Sequence, residues 1–434
     1  MLRKLLQRQI HNFLIGFNND IVMIFFLSRI QSGLFYGLGV RPGKRYDSYS
    51  ESLGTNWTMR IAKRRIEEKK KKTRFDHANG AFQLRMGRTG DAPPVTTKTL
   101  IIGASGAIGQ QLSAALVRRN GRGSVVCAVH RTPLPHSLSE AGVLTASGVD
   151  VRDAASLARV IAQFEPTHVW NLAAPLSVDT DKDPALAHDI TVGGMRRIID
   201  AMASSSACRT LLFSDSIGSF GSAAPRLDVA ASWLVAHPAQ DPGSDYGRQK
   251  RECRELMERY AATRGIDTRW LVIPGVLHPN DAWGGGTTEY ALDAVKWAAV
   301  QHRLKVKEPY QCPINLDERL PMIFVTCLIR AMILLQVAPR ESLREPSAGY
   351  CAAGFSFTPR ELFALLRQRV PSFRFVEQAD GAAARFAALW PDTISGEAAQ
   401  RDLGFHANVM LPAVVDTVLA AHRAHFSDKT RSKL

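Results

Sequence analysis

The 434-residue chain reads as an α/β protein, a doubly wound parallel sheet followed by a smaller C-terminal lobe. Three observations predict this architecture. A short apolar run, Thr99-Leu-Ile-Ile, ends on a glycine-rich turn and passes into a helical pattern. Strand-like and helix-like segments then alternate through residue 273, the signature of parallel strands joined by right-handed helical crossovers. The composition, 45% hydrophobic with 22% charged residues, is that of a globular chain long enough to bury a large core.

The first element is the most informative. The run from Thr99 meets Gly103-Ala-Ser-Gly-Ala-Ile-Gly109, glycines spaced G-x-x-G-x-x-G. One glycine serves a tight turn, one a close backbone approach to a pyrophosphate, and one the packing of helix on strand. The helix that follows, to about Arg119, turns its N-terminal amides and positive dipole end toward phosphates. Gly103, Ser105, Gly106, Ala107, Ile108 and Gly109 are therefore candidate dinucleotide contacts in a Rossmann unit. A turn that serves packing alone is the competing explanation; its place between strand and helix, heading a long alternation, favours a cofactor. Further strands are expected at 124–130, 144–150, 168–172, 209–214 and 268–273, with helices at 154–164, 186–202 and 245–264. Catalytic groups on such a sheet belong at the carboxyl ends of its strands.

Helix 245–264 carries Tyr246 and Lys250, four residues apart and so on one face. An ammonium one turn from a phenol favours the phenolate, which suits a base that takes an alcohol proton while hydride leaves the same carbon. An exposed Tyr and Lys on an amphipathic helix would be the bland explanation; arrival at this point of a Rossmann sheet argues against it. Ser216, just past strand 209–214, supplies a hydroxyl for the substrate oxygen.

Before the fold lies a different kind of sequence. Residues 1–98 hold 19 of the 55 Lys and Arg but 7 of the 40 Asp and Glu, so +12 of the formal +15 lies there. A nearly neutral body argues against a nucleic-acid groove. The opening MLRKLLQRQIHNFL is basic, acid-poor and amphipathic, and the apolar run IVMIFFL is bracketed by Asn18, Asn19, Asp20 and Arg29. That run falls short of the ~20 residues a bilayer span needs, so no stable membrane insertion is expected. A mitochondrial targeting peptide and a secretory signal compete as explanations. A third is that translation begins at Met59 or Met86. The six scattered cysteines, with neither a CxxC pair nor a Cys/His cluster, fit a reducing compartment without disulfides and favour the mitochondrion, with the cytoplasm as the alternative. No metal is expected. The run RRIEEKKKKTR reads as a solvated linker, and Asp91-Ala-Pro-Pro breaks the chain before the first strand. The expected divisions are an extension over 1–95, a Rossmann domain over 96–280, an interleaved substrate lobe over 281–425 and a tail over 426–434.

Several segments together resemble the extended short-chain dehydrogenases, and within them the short-chain type of L-threonine 3-dehydrogenase. Gly284-Gly-Gly-Thr-Thr-Glu-Tyr-Ala is similar to that family's GGGTTDYA, Leu172-Ala-Ala-Pro-Leu-Ser177 to its LAALLS, and Arg319-Leu-Pro-Met322 to its RLPMM. Phe355-Ser-Phe-Thr-Pro and Trp390-Pro-Asp add matches, and the resemblance runs from about residue 98 to 422. It implies NAD as cofactor and L-threonine as substrate, oxidised to 2-amino-3-oxobutyrate. It puts the catalytic hydroxyl on Ser216, the base on Tyr246 and its helper on Lys250. It places Arg131, Asp150, Val151, Leu172, Ala173 and Ala174 with Tyr246 and Lys250 among the cofactor contacts. It puts Ser177, Gly286, Thr287, Thr288, Arg319 and Trp390 with Ser216 and Tyr246 around the substrate. A homodimer through helices near 190–204 and 245–264 is implied as well.

The chain departs from that pattern where the family has an acid at the end of the second strand. Here the stretch is Ala128-Val129-His130-Arg131, and Arg131 with Thr132 could meet a 2′-phosphate. Asn171, Pro175 and Cys327 also replace family residues. Two other functions compete: a nucleotide-sugar epimerase or dehydratase, which would need a larger lobe with a second phosphate or base site, and a cofactor-binding protein with little catalysis. The intact Ser216, Tyr246 and Lys250 argue against the second of these.

Overall fold

The computed structural model describes residues 97–279 and 286–431. The expected extension, Gly284 and Gly285 of the glycine triplet, and the last three residues lie outside the described residues. Elements follow in the order β1 (Thr99–Ile102), α1 (Ala107–Asn120), β2 (Val125–Val129), α2 (His136–Glu140), β3 (Leu144–Ser147), α3 (Ala154–Phe164) and β4 (His168–Asn171). Next come α4 (Ser177–Lys182), α5 (Pro184–His188), a π turn (Asp189–Gly193), α6 (Gly194–Ala203), β5 (Thr210–Ser216), α7 (Ala231–Ala236), α8 (Asp245–Arg264) and β6 (Asp267–Ile273). The lobe adds β7 (Gly275–Leu277), α9 (Tyr290–Leu304), β8 (Tyr310–Cys312), β9 (Leu320–Phe324) and α10 (Val325–Val337). It closes with β10 (Gly349–Cys351), β11 (Phe355–Phe357), α11 (Pro359–Arg369), β12 (Phe375–Glu377), α12 (Ala382–Leu389), α13 (Glu397–Leu403) and α14 (Leu411–Arg431).

The main sheet has seven strands in the order β10-β6-β5-β4-β1-β2-β3, every pair parallel. Alternate strand residues face opposite sides. Leu100, Ile102, Val126, Val169, Leu211 and Phe213 belong to one apolar core, and Ile101, Val125, Cys127, Trp170 and Leu212 to the other. Burial on both faces is what a doubly wound sheet requires, and it explains why the strands read as continuous apolar runs. The strand order reverses between β1 and β4, so a crevice opens beyond their carboxyl ends.

Two helices fall on the expected residues, 154–164 and 245–264, each opened by a capping side chain. Asp153 accepts the Ala155 amide at 3.0 Å and Ser244 accepts the Gly247 amide at 3.1 Å. The single helix expected at 186–202 is instead α5, a π turn and α6. The third strand stops at Ser147, short of 150, because Gly148 turns the backbone at φ +71°. The fifth strand runs on to Ser216, which gives that serine a fixed place at a strand end. The lobe contributes a three-stranded sheet, β11-β9-β7, and the pair β12-β8.

Candidate active site

The crevice begins at Gly103, which leaves β1 at φ +81°. A Cβ there would stand 2.8 Å from the Leu172 carbonyl carbon and 2.9 Å from the Ala173 nitrogen, so only glycine lets the turn pass the end of β4. A Cβ on Gly109 would stand 2.7 Å from the Ala104 Cα, which is the tight helix-on-strand packing expected of the third glycine. The Gly106 amide donates to the Gly103 carbonyl at 3.1 Å, and α1 starts directly behind. Asn171, buried at the end of β4, accepts the Ala173 amide at 3.2 Å and shapes the 172–174 turn. A cradle with no room for side chains, closed by a helix N-terminus, fits a dinucleotide pyrophosphate.

One step along the sheet, β5 delivers Ser214, Asp215 and Ser216. Ser216 Oγ accepts the Gly218 amide at 3.1 Å. The Tyr246 ring lies on the same glycine: a Cβ on Gly218 would be 3.1 Å from Tyr246 Cδ1 and 3.5 Å from Ser216 Oγ. The first turn of α8 can come this close because residue 247 is also glycine; a Cβ there would run into the Gly218 carbonyl. One turn deeper, buried Lys250 donates from Nζ to the Ser214 carbonyl at 2.7 Å, with Nζ 4.7 Å from the Phe213 ring centroid and 5.5 Å from that of Tyr246. Ser216, Tyr246 and Lys250 thus gather at the carboxyl end of β5.

A third member of this helix face escapes a reading of the sequence. Arg254, eight residues after Tyr246, pairs through Nη1 with Asp215, and Ser219 Oγ donates to the other Asp215 oxygen at 2.6 Å. Both charged groups are buried, and the guanidinium lies 5.3 Å from the Trp270 ring centroid. Spacing at 246, 250 and 254 was the available signal; the partner, 39 residues upstream, was not visible from it.

On the lobe side, buried Ser177 and Thr287 bring their hydroxyls within 3.3 Å of each other. Thr288 packs where a Cβ on Gly275 would stand, 2.7 Å from its own Cβ. Helix α12 packs against the turn holding Thr287, and a Cβ on Gly243, three residues before Tyr246, would touch Leu389 at 3.0 Å. Trp390 follows, buried, with its indole N–H lacking an acceptor among the described residues. Arg319 is differently engaged: its guanidinium donates to Glu361 at 2.5 Å and to the Ser356 carbonyl at 3.1 Å. Those bonds tie the approach to β9 to β11 and to the first turn of α11.

At the other end of the crevice, Asp150 accepts Arg152 through both carboxylate oxygens, at 3.1 and 2.7 Å, and through the Arg152 backbone amide at 2.9 Å. These bonds draw its carboxyl down to about 2. His130 Nε2 lies 3.5 Å from the same carboxylate. Neighbouring Val151 is buried. Cys327, which replaces a family residue, is buried on α10 and donates to Asn408 Oδ1 at 3.4 Å. Among the described residues no group of three or more His, Cys, Asp or Glu could hold a metal ion, and no helix is long and apolar enough to cross a membrane.

With this geometry in hand, known proteins supply the comparison. Residues 99–345 match the NAD dependent epimerase/dehydratase family. The mitochondrial L-threonine 3-dehydrogenase of Sus scrofa is 27% identical over 328 residues, covering 76% of this chain and 83% of that protein. The holo structure of a GalE-like L-threonine dehydrogenase from Cupriavidus necator is 31% identical with a TM-score of 0.65, covering 74% of this chain and 99% of its own. The UDP-glucose 4-epimerase of Thermotoga maritima shares the fold at 16% identity and a TM-score of 0.61.

Proposed function

The chain belongs to the NAD-dependent epimerase/dehydratase family, and within it we propose that it oxidises the 3-hydroxyl of L-threonine to 2-amino-3-oxobutyrate, with NAD as hydride acceptor. The observation that carries this reading is the convergence of Ser216, Tyr246 and Lys250 past the end of β5, next in the sheet to the strand whose turn meets the glycine crevice. Similarity to L-threonine dehydrogenases in sequence and in solved structure supports it.

In the proposed reaction Ser216 Oγ holds the substrate oxygen and Tyr246, reacting as phenolate, takes the hydroxyl proton and becomes the phenol. The hydrogen on C3 leaves as hydride, and the C3–O bond becomes a carbonyl. Bound NAD supplies the hydride acceptor. Lys250, tied to the Ser214 carbonyl, sits one turn beneath the phenol, with Nζ 5.5 Å from the Tyr246 ring centroid. Ser177, Gly286, Thr287 and Thr288 are assigned to the amino and carboxylate groups of a small zwitterion, where two fixed hydroxyls set its orientation. The indole N–H of Trp390, without an acceptor among the described residues, is assigned as a further donor from the lobe. We assign Arg319 to bracing the lobe through Glu361. Gly103 to Gly109, Leu172 to Ala174, Asp150, Val151 and Arg131 are assigned to the dinucleotide. The resemblance also supports a homodimer, and the basic, acid-poor opening supports a mitochondrial destination.

The test is L-threonine-dependent reduction of NAD by the purified chain, run beside UDP-glucose as the competing substrate. Threonine turnover without sugar epimerisation is expected. Epimerisation without threonine oxidation would overturn the assignment.

A further inference from the structure

In dinucleotide folds the choice between NAD and NADP is made where the second strand ends: a carboxylate there accepts the ribose 2′-hydroxyl and repels a 2′-phosphate. In this chain β2 ends on Val129, which is buried, and no acidic residue follows before Glu140. The residues that do follow are His130, Arg131 and Thr132, all exposed. The neighbouring strand brings one acid to this edge, Asp150, and that carboxylate is occupied. Arg152 grips both of its oxygens, with His130 3.5 Å away. Arg131 has no hydrogen bond or ion pair among the described residues, so its fork of donors is open toward solvent at the strand end.

The edge therefore offers the open guanidinium of Arg131, the His130 imidazole and the Thr132 hydroxyl beside an Asp150 carboxylate that Arg152 already pairs. A guanidinium takes two oxygens of a phosphate at once, and a hydroxyl beside it adds a third bond. We propose that the ends of β2 and β3 form a 2′-phosphate site with Arg131 as its main anchor, so that the chain binds NADP nearly as well as NAD. The inference rests on the dinucleotide reading of the glycine crevice. It concerns binding at the adenosine end and leaves NAD as the acceptor proposed for turnover.

Calorimetric titration of the full chain with ADP-ribose and with 2′-phospho-ADP-ribose separates the two readings without turnover. ADP-ribose tests the crevice, and the added phosphate tests the edge. The expected dissociation constants lie within about tenfold of each other. Arg131→Ala should weaken the phosphorylated ligand at least tenfold more than ADP-ribose, and Arg131→Lys should restore part of the difference. Higher salt should weaken the phosphorylated ligand selectively, because the added contact is between charges near the surface. A phosphorylated ligand that binds more than tenfold weaker than ADP-ribose overturns the 2′-phosphate site and leaves the dinucleotide reading standing. An equal effect of Arg131→Ala on both ligands does the same. Failure of both ligands to bind overturns both readings.

Discussion

Replacing Arg254 by Met tests how the catalytic helix is fixed to the strand that carries Ser216. The substitution keeps most of the side-chain volume and removes the cation. Asp215, 2% exposed, is then left with Ser219 Oγ, at 2.6 Å, as its remaining charged or hydroxyl partner. Breaking a buried ion pair from one side costs about 3–5 kcal/mol, since the stranded charge stays out of water. The surviving serine bond puts this case at the low end, about 3 kcal/mol. Unfolding of roughly 330 described residues at about 2.1 cal/mol/K each gives an entropy near 0.7 kcal/mol/K, so the melting temperature should fall by about 4 °C. The double variant Asp215→Leu with Arg254→Met removes the stranded charge and should recover most of that fall. Activity should drop in both variants, because Tyr246 and Ser216 are no longer clamped to a common spacing. Calorimetric melting with a parallel activity assay reads both effects. An unchanged melting temperature in Arg254→Met, or a double variant no more stable than the single, would refute the reasoning.

Three other outcomes follow from the same geometry. Tyr246→Phe should lower turnover by about 10²–10⁴-fold while ADP-ribose affinity stays within twofold; turnover near wild type removes the phenol from the mechanism. His168 is held at about 4 by burial and by the nearby Arg269 charge. Below pH 6.5 the unfolded chain therefore takes up a proton that the native chain refuses, and stability falls until pH reaches about 4. His168→Gln should flatten that part of an acid-unfolding curve, and an unchanged curve would contradict the assignment. Deleting residues 1–85 should leave a folded, active enzyme, because the extension carries no alternation of strand-like and helix-like segments and the cofactor fold starts after Pro94; an insoluble product or a lost melting transition would show that the fold depends on the extension.

The parts of this fold that were legible in the sequence are those where a local rule decides. The glycine turn could be read because steric demands at Gly103 and Gly109 leave no alternative residue. Helices 154–164 and 245–264 could be bounded because Asp153 and Ser244 cap them. The seventh strand, Gly349–Cys351, was not legible: three residues are too few to show a period, and its pairing with β6 is set by the tertiary fold. The π turn at Asp189–Gly193 adds a residue inside an otherwise regular helical pattern, which hydrophobic spacing does not resolve. At the site, Tyr246 and Lys250 announced themselves by their spacing. Asp215 did not, because its significance comes from Arg254, whose place beside it depends on how α8 packs on β5. The engagement of Arg319 with Glu361, and of Asp150 with Arg152, belongs to the same class: each is a pairing, and one sequence shows only one partner at a time.

The central claim is that hydride leaves C3 of L-threonine at the Tyr246 centre. The most direct measurement uses L-threonine deuterated at C3, with the wild-type chain, NAD and mass-spectrometric analysis of the dinucleotide. The account predicts deuterium on the nicotinamide ring at C4, one atom per turnover, and about 10²–10⁴-fold less labelled dinucleotide with Tyr246→Phe over the same interval. Reduced dinucleotide formed without deuterium, or no reduction of NAD by L-threonine under any condition where ADP-ribose binds, would contradict it.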